Sequence, residues 1–150
     1  MEKKNYIPHD FKYKLPFEDN IYDGAFSEHT IEHLYYNDAK FLFTEIFRIL
    51  KKSSIFRCTV PGLELYIENY NNKKTSKYFS SFENGCDALR DLTSNYGHLN
   101  IWDQQTLKRE LLNAGFSSVK TCKFGEGENK ELVKDLVDRS EMTIYLEAKK

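Results

Sequence analysis

Leu15-Pro16-Phe17-Glu18-Asp19-Asn20, then Ile21-Tyr22-Asp23-Gly24-Ala25-Phe26-Ser27, then Glu28-His29-Thr30-Ile31-Glu32-His33-Leu34 is the stretch on which the reading of the fold turns. The first part is rich in turn formers and reads as a loop. The second, Ile21–Ser27, is short and apolar with a polar end, which suits a buried strand. The third carries Glu-His twice, four residues apart, at the end of that strand and the start of a helix.

Downstream, Asp38 is expected to N-cap a helix in which Phe41, Leu42, Ile46, Ile49 and Leu50 recur at helical spacing. Lys51-Lys52 suit its C-terminal dipole end. Ser54–Val60 alternates as a second strand, stopped by Pro61-Gly62. Leu63 to Tyr96 reads as helical but irregular, with the polar run Asn69 to Ser76 suggesting a break. Asp103 should cap a further helix through Leu107, Leu111 and Leu112, closed by Gly115. A strand at Ser118–Phe124, a short helix around Leu132 to Val137 and a last strand at Met142–Glu147 complete the series, with a strand stub near Tyr6-Ile7. Strands alternating with helices predict an α/β fold with a largely parallel sheet.

At 150 residues, 40% of them hydrophobic and 15% aromatic, the chain can bury a real core and is not a disordered tract. Its 22 basic against 23 acidic residues leave a net charge of -1, which argues against a nucleic-acid partner and against attraction to an anionic membrane. The pairs Lys51-Lys52, Lys73-Lys74 and Lys149-Lys150 read as solvated element ends. No signal-peptide pattern opens the chain, and no apolar run is long enough to span a bilayer. Cys58, Cys86 and Cys122 match no paired spacing and are read as free thiols in a reducing cytoplasm.

The ordered set of these segments resembles the middle and end of class I S-adenosylmethionine-dependent methyltransferases. The Leu-Pro-Phe loop, Asp19-Asn20, the strand, the Glu28-His29 turn and Glu32-His33-Leu34 carry the likeness first. It continues through Glu45–Lys52, where Ser53-Ser54 replace the family's glycine turn. Leu111–Phe116 matches its late helix ending in Ala-Gly-Phe, and Thr143–Ala148 its last strand. The resemblance implies a partial Rossmann-like sheet, mostly parallel with an antiparallel last strand, and helices on both faces. It also implies S-adenosylmethionine as cofactor and a small-molecule methyl acceptor.

By the same resemblance, Asp10 and Phe11 contact the adenine ring, and Ser27, Glu28 and His29 line the methionine part. Methyl transfer from a sulfonium relies mainly on holding nucleophile, methyl and sulfur in line. A base serves where the acceptor is protonated, and His29 and His98 are the candidates. The family's first strand and glycine-rich turn would precede residue 1, so the chain is expected to be a truncated domain that holds the cofactor weakly. The alternative is a non-catalytic remnant of the fold. The uncovered strand Ile21–Ser27 would then be open to self-association.

Two other patterns compete for the same letters. His29-Thr30-Ile31-Glu32-His33 is literally H-x-x-E-H, a zinc-peptidase pattern that Glu110 could complete. The methyltransferase pattern already accounts for it, so no metal is expected. Gly125-Glu126-Gly127-Glu128 lacks a third glycine and carries two acids that would repel a phosphate, so it reads as a loop.

Overall fold

The computed structural model describes residues 6–72 and 76–150. Lys73-Lys74 lies outside the described residues, as does the centre of the Asn69–Ser76 break. Four strands form one sheet: β1 (Tyr22–Glu28), β2 (Leu50–Pro61), β3 (Ser118–Cys122) and β4 (Thr143–Lys149). Their order is β1-β2-β4-β3. β1 pairs parallel with β2, and β4 runs antiparallel between β2 and β3. Three strands therefore point one way and the last strand points back, the mixed sheet expected from the sequence.

The helices are α1 (Tyr36–Ile49), α2 (Leu63–Asn72), α3 (Gly85–Thr93) and α4 (Gln104–Asn113). On β2, the alternate residues Phe56, Cys58 and Val60 join the buried residues of α1 (Ala39, Leu42, Phe43, Ile46, Ile49) in the main core. Leu107 and Leu111 of α4 enter the same core, so α1 and α4 cover one face of the sheet. The intervening residues Arg57 and Thr59 point to the other face, paired across β4 with Glu147 and Tyr145. That face is covered by the segment between β3 and β4, where Arg57 bonds Asp135 and Glu147 and where Leu132 packs over Gly24. α2 and α3 build a second, smaller core from Tyr66, Phe79, Ala88 and Leu92.

Local signals account for several boundaries. The side chain of Asp103 accepts the amide of Thr106, as its capping position predicted. Gly115 follows α4 with φ of 113°, a conformation that L side chains resist, and a Cβ there would also press on the Phe47 ring. Ser53 takes φ of 67° where the resemblance places a glycine, a left-handed turn costing about 1–2 kcal/mol in a non-glycine residue.

Three local expectations are corrected. The N-cap of α1 is Tyr35, and Asp38 sits inside the first turn, where its charge still suits the dipole. The segment around Leu132 to Val137 forms two short 3-10 turns, Lys130–Leu132 and Val137–Arg139, rather than one helix. Its polar contacts explain this, because it is pinned by Asp135 and by the Leu136 amide, which donates to Glu28. Tyr6-Ile7 forms no strand, and both side chains are exposed.

Candidate functional site

β1 and β2 run parallel, and β1 passes directly into a turn at His29 and a 3-10 turn at Ile31–His33. Their C-terminal ends open onto a cavity of about 500 Å³, the place where open α/β sheets hold ligands. His29, Glu32 and His33 reach it from the end of β1, and Pro61 from the end of β2. Tyr66, Tyr78 and Asp91 come from the α2–α3 region, Tyr96 and His98 from the loop after α3, and Arg139 and Met142 from the approach to β4.

One pair of backbone bonds draws His98 to the strand end. The amides of Leu99 and Asn100 both donate to the carbonyl of Glu32, at 2.9 and 3.1 Å. This sets the His98 ring edge-on to His33, with centroids 4.9 Å apart. His29 has φ of 46° and Tyr96 φ of 60°, so two non-glycine residues lining the cavity hold a left-handed backbone. Strain of this kind persists where surrounding contacts over-determine it, and it concentrates at functional sites.

The cavity's titratable groups are displaced mainly by burial. Burial pushes the His29 imidazole down to about 3, with smaller contributions from Arg139, His98 and His33. It raises the Glu32 carboxyl to about 7. Glu32 is 1% exposed, and both of its oxygens are buried with no hydrogen-bond partner. Opposite it, Tyr78 donates to Asp91 at 2.7 Å and lies 3.0 Å from the Tyr66 hydroxyl. Burial drives both phenols upward, Tyr66 to about 12.

The structure thus brings His29 and His98 together in one cavity, although 69 positions separate them. Ser27 and Glu28 lie at the adjoining strand end. Neither lines the cavity: the Ser27 hydroxyl is buried without a partner, and Glu28 accepts the Leu136 amide at 3.0 Å. Asp10 and Phe11 do not line the cavity. Asp10 is exposed and pairs with Lys12 at 2.9 Å, while Phe11 packs partly buried against the main core. Glu110 is also absent from the cavity lining, being held by Tyr36, Arg109 and Asn113, so the H-x-x-E-H histidines gain no glutamate from it. The residue that sequence reading missed is Glu32. In the sequence it figures only in the H-x-x-E-H pattern and at a helix start.

For a cofactor, the strained turn at His29 stands at the end of β1, at the mouth of the cavity. Among the described residues no glycine-rich strand-to-helix turn accompanies it. Gly62 stands between β2 and α2, but a Cβ there would strike Ile144, so its missing side chain serves packing.

Residues 2–58 match the sequence profile of a family described as a methyltransferase domain. Among solved structures, the chain is similar to a SAM-dependent methyltransferase from Archaeoglobus fulgidus, with a TM-score of 0.61 and 20% identity. That match covers 96% of this chain and 66% of the other. A SAM-dependent methyltransferase from Thermotoga maritima gives a TM-score of 0.57 at 17% identity, covering 95% and 62%. PigF, solved with SAH, gives 0.56 at 15% identity, covering 94% and 34%. The chain spans less than two thirds of the Thermotoga protein and about two thirds of the Archaeoglobus one. No curated protein sequence matches it.

Proposed function

We propose that the chain is a domain of the class I S-adenosylmethionine-dependent methyltransferase family, a reading supported by the match of residues 2–58 and by the fold, and that it forms the acceptor side of a methyl-transfer site. The observation that carries this reading is the cavity at the ends of β1 and β2, lined by His29 and His98. Ser27, His29 and the half-buried Glu28 would hold the methionine end of the cofactor, with Asp10 and Phe11 toward its adenine. When bound, the cofactor supplies an electrophilic methyl group on sulfur.

The cavity then seats a small-molecule acceptor in line with that methyl, and alignment supplies most of the gain. Where the acceptor is a protonated nucleophile, an imidazole takes its proton. The available nitrogens are those not already bonded, Nδ1 of His29 and Nε2 of His98.

The test is a titration with S-adenosylhomocysteine followed residue by residue by nuclear magnetic resonance. We expect weak, millimolar-range binding, with shifts centred on Ser27–His29 and reaching Asp10–Phe11. Shifts elsewhere, or none up to saturating ligand, would overturn these assignments. Micromolar affinity would show that other residues replace the glycine turn.

Self-association belongs to the same reading. β1 is an edge strand, and among the described residues its outer side has no backbone partner. It contains neither lysine nor proline to blunt it. Light scattering during size-exclusion chromatography should show mass rising with concentration. A monomer at every concentration would sink the expectation.

A further inference from the structure

We propose that Glu32, His33 and His98 form a binding site for a divalent transition-metal ion of the zinc class, opening onto the cavity. One donor atom from each of the three lies within 4.8 Å of the others. Nothing in the cofactor reading requires this site, and its test does not involve the cofactor.

The argument rests on where the protons are. Nδ1 of His98 lies 2.5 Å from the carbonyl of Leu92, and a carbonyl only accepts, so Nδ1 carries the hydrogen. Nε2 of His98 is left as a bare electron pair. His33 repeats the arrangement more loosely, with Nδ1 3.4 Å from the carbonyl of Gly97 and Nε2 3.8 Å from Oε1 of Glu32.

His29 follows by one further step. The Thr143 hydroxyl donates to the carbonyl of Arg139 at 2.7 Å, so it must accept from Nε2 of His29, 2.7 Å away. That leaves Nδ1 of His29 as an electron pair, 3.8 Å from the same Oε1 of Glu32. Both Glu32 oxygens are buried without a hydrogen-bond partner. Arg139 lines the same cavity, yet it makes no ion pair with Glu32.

With Glu32 ionised, the groups that face one another are therefore all electron-pair donors. A buried carboxylate in that position is costly unless a cation joins it. Two imidazoles and one carboxylate are the donor set of three-ligand zinc sites that keep an open position. Imidazole nitrogens argue against magnesium and calcium, which take oxygen ligands. The carbonyls of Leu92 and Gly97 fix the two rings from behind, as outer-shell partners do for metal-bound histidines. Tetrahedral metal–ligand bonds of roughly 2.0–2.2 Å would set the donor atoms roughly 3.3–3.6 Å apart, so they need to draw in from separations of up to 4.8 Å. With the ion bound, His98 is a ligand.

The experiment titrates zinc alone into the intact chain against a chromophoric chelator, with cobalt(II) as a spectroscopic substitute. We expect one equivalent of zinc and a visible ligand-field absorption for cobalt(II). Glu32→Gln and His98→Ala should each weaken zinc by more than about tenfold, while His9→Ala, outside the cavity, changes nothing. On the unaltered protein, zinc should shift the ring signals of His33 and His98 and leave those of His9 in place. This keeps the test decisive even if a variant fails to fold. Substoichiometric uptake, uptake lost with His9→Ala but kept in His98→Ala, or magnesium binding as tightly as zinc would each overturn the site.

Discussion

Replacing Arg57 with alanine is expected to destabilise the chain by about 3–5 kcal/mol, the loss typical of breaking a buried ion pair from one side. The Arg57 side chain is fully buried in the middle of β2. It donates twice to Asp135, at 2.8 and 2.6 Å, once to Glu147 at 3.1 Å and once to the carbonyl of Glu126 at 2.9 Å. Burial works against its charge, but the Asp135 carboxylate outweighs this and holds the guanidinium above its usual value. Removing it would leave two carboxylates buried without their cation.

The loss should spread, because the same acids organise the chain around them. Asp135 also accepts the Gly125 amide and Glu147 the Glu128 amide, so the network fastens the cover of the sheet's second face. Asp138 and Arg139 of that cover line the cavity. Arg57→Lys keeps the charge but cannot make the two-pronged bond to Asp135, and an intermediate loss is expected. Urea unfolding measures both. A loss below about 1 kcal/mol for Arg57→Ala, the range of an exposed pair, would mean that the cover is held by apolar contacts instead.

Trp102→Ala should cost a similar amount, about 3–5 kcal/mol, by opening a cavity in the main core. Trp102 is 1% exposed and packs against Tyr36 and Phe43, with ring centroids 5.5 and 5.8 Å away. Its indole nitrogen is buried without a partner, so Trp102→Phe forfeits no hydrogen bond. That variant should retain most of the stability. Thermal unfolding followed by circular dichroism decides between them, since the chain has one tryptophan and the variants lose its fluorescence. Equal losses for phenylalanine and alanine would show that the indole nitrogen is bonded after all.

Much of the fold was legible because its signals are local. The helix at Gln104–Asn113 was announced by Asp103 three residues before the amide it caps, and its end by Gly115. β1 and β2 were marked by short apolar runs between turn residues. The features that the sequence did not show have tertiary causes. The segment around Leu132 to Val137 was expected to be a short helix, but its contacts with Arg57 and Glu28 hold two separate turns.

The candidate site divides in the same way. His29 and His98 were singled out as residue types able to move a proton, and they do share one cavity. Glu32 was hidden because its letter fits a helix start equally well. Nothing local distinguishes a solvated glutamate from one buried without a partner.

By itself, the sequence determined the order of strands and helices, the family resemblance and the residue types available for chemistry. Periodicity, caps and turn residues act within a few positions, so they can be read along the chain. Only the tertiary structure decided which of those residues meet. Two amides near residue 100 bind the carbonyl of Glu32, and Arg57 reaches an aspartate 78 positions away. Such contacts depend on how the layers pack, and packing is a property of the whole chain at once.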